Sequence, residues 1–167
     1  MGCDIYSVAE VLDTSTGEWK DAGDVFPLDD WGREWHKKDL GSEPFPHRIY
    51  GLFGFLADVR NYACCTPLSE PRGFPDDWMS TPKEEMHEDR HSKSWFLLSE
   101  LLAFDYDQTF WNRRIFKDGS GVALAKEGEG TIQTYRDLLG VDYFKHLEIL
   151  KTLGPPENVR VVFSFDS

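Results

Sequence analysis

Polar and apolar residues alternate at both ends of the chain, which is the pattern of a half-buried β-strand. In the stretch CDIYSVAEVL, every second residue from Cys3 to Val11 is apolar or small, and the following DTSTGEW predicts a turn with a return strand through Trp19. At the other end, NVRVVFSFDS places valine and phenylalanine at every second position of 159–165. We expect these terminal strands to pair in one sheet.

Helical spacing marks the interior of the chain. The stretch RIYGLFGFLADVRNYA predicts a helix over about 50–62. A helix is also predicted from Asp142, which can cap its start, to Gly154, where glycine and two prolines end it. The sequence therefore predicts a single α+β domain over residues 1–167, with a mainly antiparallel sheet that includes both terminal strands and three to four packed helices.

Two further helices are predicted on either side of the stretch HSKSW. Thr81, with proline next and glutamate three positions on, caps a polar helix through about Arg90. The next helix is expected to begin near Ser94 and to bury an apolar stripe that starts at Trp95. The Gly-rich, charged region after Trp111 predicts a hairpin or loop.

Charge and cysteine content limit the partners. The 167 residues carry a net charge of -12, so long-range repulsion disfavours nucleic-acid polymers and anionic membranes. No segment approaches the roughly 18 apolar residues of a membrane span, and the start of the chain does not resemble a secretion signal. The three cysteines lack a C-x-x-C spacing. We expect a cytosolic protein that needs a focal basic pocket to bind an anion.

The letters HEDRH match the signature of zinc proteases. On a helix, His87 and His91 face the same way, and Glu88 is placed to polarise a metal-bound water. However, the predicted helix has almost no apolar face, whereas a catalytic zinc helix needs core support and a third ligand. We interpret HEDRH as a solvated helix and predict neither a metal nor another cofactor.

The overlapping letters HSKSW predict an anion site. If Ser92 or Ser94 caps the following helix, unpaired backbone N–H groups and the positive end of the helix dipole lie beside His91. Trp95 is then placed to stack on a ring of the ligand. The alternative is that serine only caps the helix and His91 packs on Trp95. In an enzyme, His91 would be the general acid or base.

Two arginines are candidates for binding phosphate. Arg60 and the neighbouring Asn61 lie at the end of the helix predicted over 50–62, where the guanidinium can fork onto a phosphate or onto an internal carboxylate such as Asp58 or Asp4. Arg72 lies in SEPRGFP, and its proline-restricted turn would lower the ordering cost of binding.

Several motifs in this chain occur together in a known family. MGCDI, YGLFGFLADVRN, PRGFP, HSKSWFLLSELLAFDY and VRVVFSFDS cover most of the sequence and resemble a family of small phage and bacterial proteins that carries no known catalytic signature. That family has histidine where this chain has Tyr6, and it lacks the His-Glu before His-Ser-x-Ser-Trp. His91 therefore carries over, whereas His87 and Glu88 do not. The resemblance implies an accessory phage protein in the host cytosol, of a kind that often blunts host defence.

We therefore expect a protein that binds and sequesters a small anionic ligand, such as a cyclic oligonucleotide or another nucleotide immune signal. The alternatives are a phosphodiesterase that degrades this nucleotide and an acidic inhibitor that covers a host defence protein. The sequence leaves open whether the protein forms a homo-oligomer. The residues expected to contact the ligand are Asp4, Tyr50, Arg60, Asn61, Arg72, His91, Ser92 and Trp95.

Overall fold

The computed structural model describes residues 2–78, 89–116 and 122–166, which form ten strands and four α-helices. The strands are β1 (Asp4–Asp13), β2 (Glu18–Asp21), β3 (Phe26–Pro27), β4 (Leu40–Gly41), β5 (His91–Leu97), β6 (Thr109–Asn112), β7 (Arg114–Phe116), β8 (Val122–Leu124), β9 (Thr131–Thr134) and β10 (Val159–Asp166). The helices are α1 (Asp30–His36), α2 (Tyr50–Ala57), α3 (Leu98–Ala103) and α4 (Tyr135–Lys151).

The central element is a four-stranded antiparallel sheet in the order β2-β1-β10-β5. β1 and β10 pair from Asp4 opposite Asp166 to Val11 opposite Val159. The predicted α+β fold, with both terminal strands in one mainly antiparallel sheet, is confirmed. Among the described residues, β3-β4, β6-β9 and β7-β8 form separate two-stranded sheets.

One face of the central sheet packs on the helices and forms the core. Alternate residues of β1 and β10, such as Ile5, Ala9 and Phe163, belong to one buried cluster with Phe53 of α2 and Leu147 of α4. Because side chains alternate across a strand, the sequence pattern identified this core face correctly.

The opposite face of the sheet is partly covered by the segment 74–78. Arg160 Nε donates to Glu10 Oε1 at 2.8 Å, and these side chains are 4% and 0% exposed. The Arg160 guanidinium also lies 4.2 Å from the centre of the Trp19 ring and binds Asp77 Oδ1 at 2.7 Å. Pairing of the buried charges lets the chain cover this face.

The stretch HSKSW is a strand, so the prediction of a helix that begins near Ser94 is wrong. Trp95 pairs with Val162 of β10, and α3 begins only at Leu98. Aromatic residues are favourable in strands. A strand at this position can also form backbone hydrogen bonds with the edge of β10, whereas a helix could not. Tertiary pairing therefore overrides the helical spacing of the apolar residues.

The helix predicted over 50–62 is shorter in the structure. α2 ends at Ala57, and Asp58 has a left-handed conformation with φ of 59°. The Asp58 backbone N–H donates to Gly54 O, which closes the last turn. Residues 58–62 therefore form a turn and do not continue the helix.

α4 is longer than predicted. It begins at Tyr135, where Thr134 Oγ1 accepts the Asp137 N–H at 3.1 Å. Gly140, with φ of 79° and ψ of 172°, is not helical and divides α4 into two parts at a kink, and Asp142 lies near the start of the second part. The sequence prediction located only the half of α4 beyond this kink.

Two predicted features fall partly outside the described residues. The polar helix predicted to begin at Thr81 lies outside the described residues except for Asp89 and Arg90, which are not helical. The predicted hairpin is present as β7 and β8, although the residues that join them are also outside. In the parts of the chain that are described, no helix has the length and apolar character needed to cross a membrane.

Candidate functional site

The eight residues predicted to contact a ligand lie in three places around the central sheet. The first place is near the start of β1, α2 and the turn that follows α2, the second is the outer edge of β5, and the third is the beginning of β5. The first place holds Asp4, Tyr50, Arg60 and Asn61, the second holds Arg72 and Trp95, and the third holds His91 and Ser92.

Asp4 and Arg60 lie near each other but do not form an ion pair. Arg48 binds both Asp4 carboxylate oxygens, with Nε–Oδ1 and Nη2–Oδ2 distances of 2.7 and 2.6 Å, and these hydrogen bonds lower the pKa of Asp4. Arg60 Nη1 instead donates to Tyr62 Oη at 3.3 Å. Among the described residues Arg60 has no carboxylate partner, so the predicted alternative of a pair with Asp58 or Asp4 is wrong.

Asn61 stabilises the turn after α2. Its Nδ2 donates to Asp58 Oδ1 and Cys65 O, both at 2.7 Å, while its Oδ1 accepts the Cys65 N–H at 3.1 Å. Tyr50 packs on Tyr62, with ring centroids 5.9 Å apart. Because every polar group of the Asn61 amide contacts the chain, its role in this structure is structural.

Arg72 binds the chain at the edge of β5. Its guanidinium donates to both Glu100 carboxylate oxygens, at 2.9 and 2.6 Å, and to Trp95 O at 3.2 Å. The Arg72 backbone N–H donates to Ser94 Oγ at 3.1 Å. Hydrogen bonds from Arg72 lower the pKa of Glu100. The predicted rigid arginine is present, and it attaches the segment that leads to Trp78.

His91 and Ser92 lie at the first positions of β5, so the predicted helix end with its dipole is absent from this place. His91 Nδ1 lies 3.0 Å from Ser92 Oγ, and its ring stacks on Phe165 with centroids 6.1 Å apart. Ser92 has φ of 51°, next to a register shift between β5 and β10. Because His91 begins a strand, it cannot provide the second histidine of a zinc-binding helix.

A cleft of about 320 Å³ opens on the sheet face opposite the core. Tyr6, Val8 and Val162 line it from the strands, and Phe74, Trp78 and Arg90 line it from the chain that crosses this face. Further described residues of its wall, including His36, Lys38, Ser42 and Glu43, come from the segment between β3 and α2. We call this the Tyr6 cleft. None of the eight predicted residues lines it.

Arg90 and Tyr6 form a stacked pair in the Tyr6 cleft. The guanidinium carbon of Arg90 lies 3.5 Å from the centre of the Tyr6 ring. Tyr6 Oη donates to Asp166 Oδ2 at 2.9 Å, and this hydrogen bond is the main reason why the pKa of Tyr6 is raised. The bond orients the phenol ring, and the ring in turn supports the planar guanidinium.

Glu43 brings a partly buried carboxyl group to the same cleft. Burial raises the pKa of Glu43, while a hydrogen bond from the Ser7 backbone N–H and the positive charge of Arg90 oppose this shift. Lys38, on the same wall, binds Asp24 at 2.9 Å. A carboxyl group with a perturbed pKa in a cleft is a recognised mark of a functional site.

The composition of the cleft suits a ligand with a planar ring and an anionic group. Guanidinium groups bind phosphate and carboxylate and also stack on rings. The volume lies at the lower end of the range for small-molecule pockets. No group of three metal-binding side chains occurs within the described residues.

The sequence contains only weak signals of this site. Tyr6 lies on the non-core face of β1, as the alternation predicts, but a tyrosine there is equally typical of a solvated sheet. Arg90 belongs to HEDRH, which we interpreted as a polar helix. Glu43 stands before Pro-Phe-Pro, a rigid sequence that fixes the backbone beside it.

The comparisons with known proteins found no match: no family model, no curated protein and no solved structure matches this chain. The resemblance to small phage and bacterial proteins therefore stays a prediction. The function has to be argued from the Tyr6 cleft itself.

Proposed function

We propose that the protein binds and sequesters a small anionic ligand with a planar ring in the Tyr6 cleft. A nucleotide immune signal fits this description, and the resemblance to small phage proteins supports a role against host defence. The observation that carries the proposal is the stack of Arg90 on Tyr6 inside a cleft, at 3.5 Å, in a chain with a net charge of -12. A strongly acidic protein needs such a local cation to bind an anion.

The cleft dimensions narrow the ligand class. About 320 Å³ is a small volume for a ligand pocket, so a single nucleotide suits it better than a whole cyclic oligonucleotide. The Arg90 guanidinium extends the Tyr6 stack by a second planar group, and guanidinium groups both stack on rings and bind phosphate. The Lys38 side chain, which binds Asp24 at 2.9 Å, and the His36 ring line the same cleft.

A titration with purified protein tests the proposal. We expect nucleoside monophosphates to raise the Tm of the natural protein, because a ligand that binds only the folded state stabilises it. Arg90→Ala should lose at least about 1.5 kcal/mol of binding, roughly a tenfold weaker Kd. Arg33→Ala, which removes an exposed arginine of α1 that does not line the cleft, is the matched control. A panel of nucleotides and signalling extracts that leaves the Tm unmoved would refute the proposal.

Sequestration and hydrolysis are distinguished by recovery of the ligand. A nucleotide incubated with the protein and released by denaturation should elute unchanged in chromatography. A product of altered mass would favour the phosphodiesterase alternative. In that case the general acid and base should be sought in Glu43 and His36, which line the cleft, before His91, which does not.

A protein-interaction role is the second candidate. Trp31 and Trp35 of α1 stack with ring centroids 5.7 Å apart, although these residues are 68% and 70% exposed. Exposed tryptophans are typical of interface hot spots. Capture of one stoichiometric host protein by the natural chain but not by a Trp31→Ser, Trp35→Ser variant, with no shift of the Tm by nucleotides, would favour this role.

A further inference from the structure

We propose that Glu43 makes the Tyr6 cleft selective for a base with two adjacent N–H donors, as on the Watson–Crick edge of guanine. This inference rests on the proposed function, because it names the base that the nucleotide carries. It adds a specificity residue to a cleft whose anion contact is Arg90.

The backbone directly after Glu43 is fixed by two hydrogen bonds. The Pro44 carbonyl oxygen lies 2.7 Å from the buried His146 Nδ1, and the Phe45 N–H donates to the buried Ser7 Oγ at 3.0 Å. The segment is therefore attached both to α4 and to β1. A carboxylate on so constrained a backbone loses little entropy when it binds a ligand.

The chemistry of a carboxylate decides which base it accepts. An ionised glutamate has only acceptor oxygens with about four lone pairs, so Glu43 can receive parallel N–H bonds from one planar group while it also accepts the Ser7 N–H. Guanine offers such a pair at N1 and the 2-amino group, hypoxanthine offers N1–H alone, and adenine presents an acceptor at N1. Glu43 should therefore favour guanine and repel the adenine N1 lone pair.

Arg90 and Glu43 act on different parts of the same ligand. Both line the Tyr6 cleft, and the Arg90 charge is close enough to lower the pKa of Glu43. A guanine nucleotide carries both an anionic phosphate and an edge of N–H donors, which are complementary to one cation and one anion in a single cleft. Partial burial of Glu43 strengthens its hydrogen bonds relative to those in water.

The experiment compares GMP, IMP and AMP with the natural protein by isothermal titration at pH 7.5. The expected order of affinity is GMP, then IMP, then AMP. Each lost hydrogen bond to the charged carboxylate should weaken binding by about tenfold or more. Glu43→Gln should reduce the preference for GMP over AMP at least tenfold, because the amide presents one donor and one acceptor. Glu34→Gln on the exposed surface of α1 is the matched control and should leave the preference unchanged.

The outcomes separate the inference from the proposed function. AMP binding as tightly as GMP, or a preference that Glu43→Gln leaves unchanged, overturns the role of Glu43 while ligand binding by the cleft stands. Absence of binding by all three nucleotides, with Arg90→Ala identical to the natural protein in every titration, refutes both.

Discussion

Glu10 and Arg160 are directly opposite each other on β1 and β10, and their side chains form an ion pair of 2.8 Å that is almost fully buried. Removing the charge of Glu10 would leave the buried Arg160 with Asp77, whose side chain is 64% exposed, in place of its buried carboxylate partner. Glu10→Gln should therefore lower the free energy of unfolding by about 3 to 5 kcal/mol. Urea denaturation monitored by tryptophan fluorescence measures this loss.

A substitution in an exposed ion pair is the control for Glu10→Gln. Arg136 and Asp107 lie 2.7 Å apart, with side chains 50% and 72% exposed. Asp107→Asn should change the free energy of unfolding by less than about 1 kcal/mol. Equal losses in the two variants would show that burial does not determine the strength of the Glu10 pair.

The Arg72–Glu100 pair predicts a dependence of stability on pH. Hydrogen bonds from Arg72 lower the folded-state pKa of Glu100 below its ordinary value of 4.5. The pair therefore stabilises the protein above pH 4.5, and this contribution is lost as the pH falls through the lowered pKa. Glu100→Gln should be less stable than the natural protein by about 1 kcal/mol at pH 7, since both side chains are partly solvated.

The measurement for Glu100 is the Tm of both proteins from pH 7 to pH 3. Their difference should shrink towards the acidic end. Glu148→Gln, which removes the charge of an exposed pair with Lys151, is the control and should show little difference at any pH. A Glu100→Gln effect that stays constant with pH would contradict the electrostatic role of the pair.

The raised pKa of Glu43 predicts an effect on protein stability with the opposite dependence on pH. Burial raises its folded-state pKa above the ordinary value of 4.5, so its ionisation opposes folding. This penalty is absent below pH 4.5 and complete above the raised pKa. Glu43→Gln, which can still accept the Ser7 N–H, should have a higher Tm than the natural protein at pH 8 and an equal one at pH 4. A lower Tm at pH 8 would show that the carboxylate is stabilised in the folded protein.

The kink in α4 predicts the effect of a glycine substitution. Gly140 has φ of 79° and ψ of 172°, and a Cβ built there would meet no atom within 4 Å. The cost of Gly140→Ala is therefore backbone strain alone, about 1 to 3 kcal/mol. Gly154→Ala, where the nearest atoms to a new Cβ lie at 3.8 Å, should be nearly neutral in the same urea denaturation. Similar losses in both variants would mean that the kink is not specific for glycine.

The sheet was predictable because its pattern is local and redundant. Every second position of β1 and β10 carries the same type of side chain, so the face that meets the core follows from the sequence. The strand β5 was not predictable in this way, since Trp95 and Leu98 also have helical spacing. Trp95 pairs with Val162 at the edge of β10, which is distant from β5 in sequence, so the local pattern did not indicate this pairing.

The Tyr6 cleft was harder to predict than the fold. Tyr6, Glu43 and Arg90 come from distant parts of the chain, and no spacing rule relates them. The arginines with the clearest local context have other functions in the structure. Arg72 binds Glu100, and Arg60 contacts Tyr62. A proline-restricted turn indicates that an arginine is rigid, but it does not indicate what the arginine binds.

β1 pairs with β2 only from Glu10 to Asp13, whereas β1 itself begins at Asp4. Because β2 ends early, the first half of β1 has no strand neighbour on that side within the described parts of the chain, and the segment that carries Glu43 and Phe45 contacts β1 there. The wall of the Tyr6 cleft that carries Glu43 is thus held to β1 by the hydrogen bond from the Phe45 N–H to Ser7 Oγ. We therefore expect substitutions in this segment to reshape the cleft while the pairing of β1 with β10 stays intact.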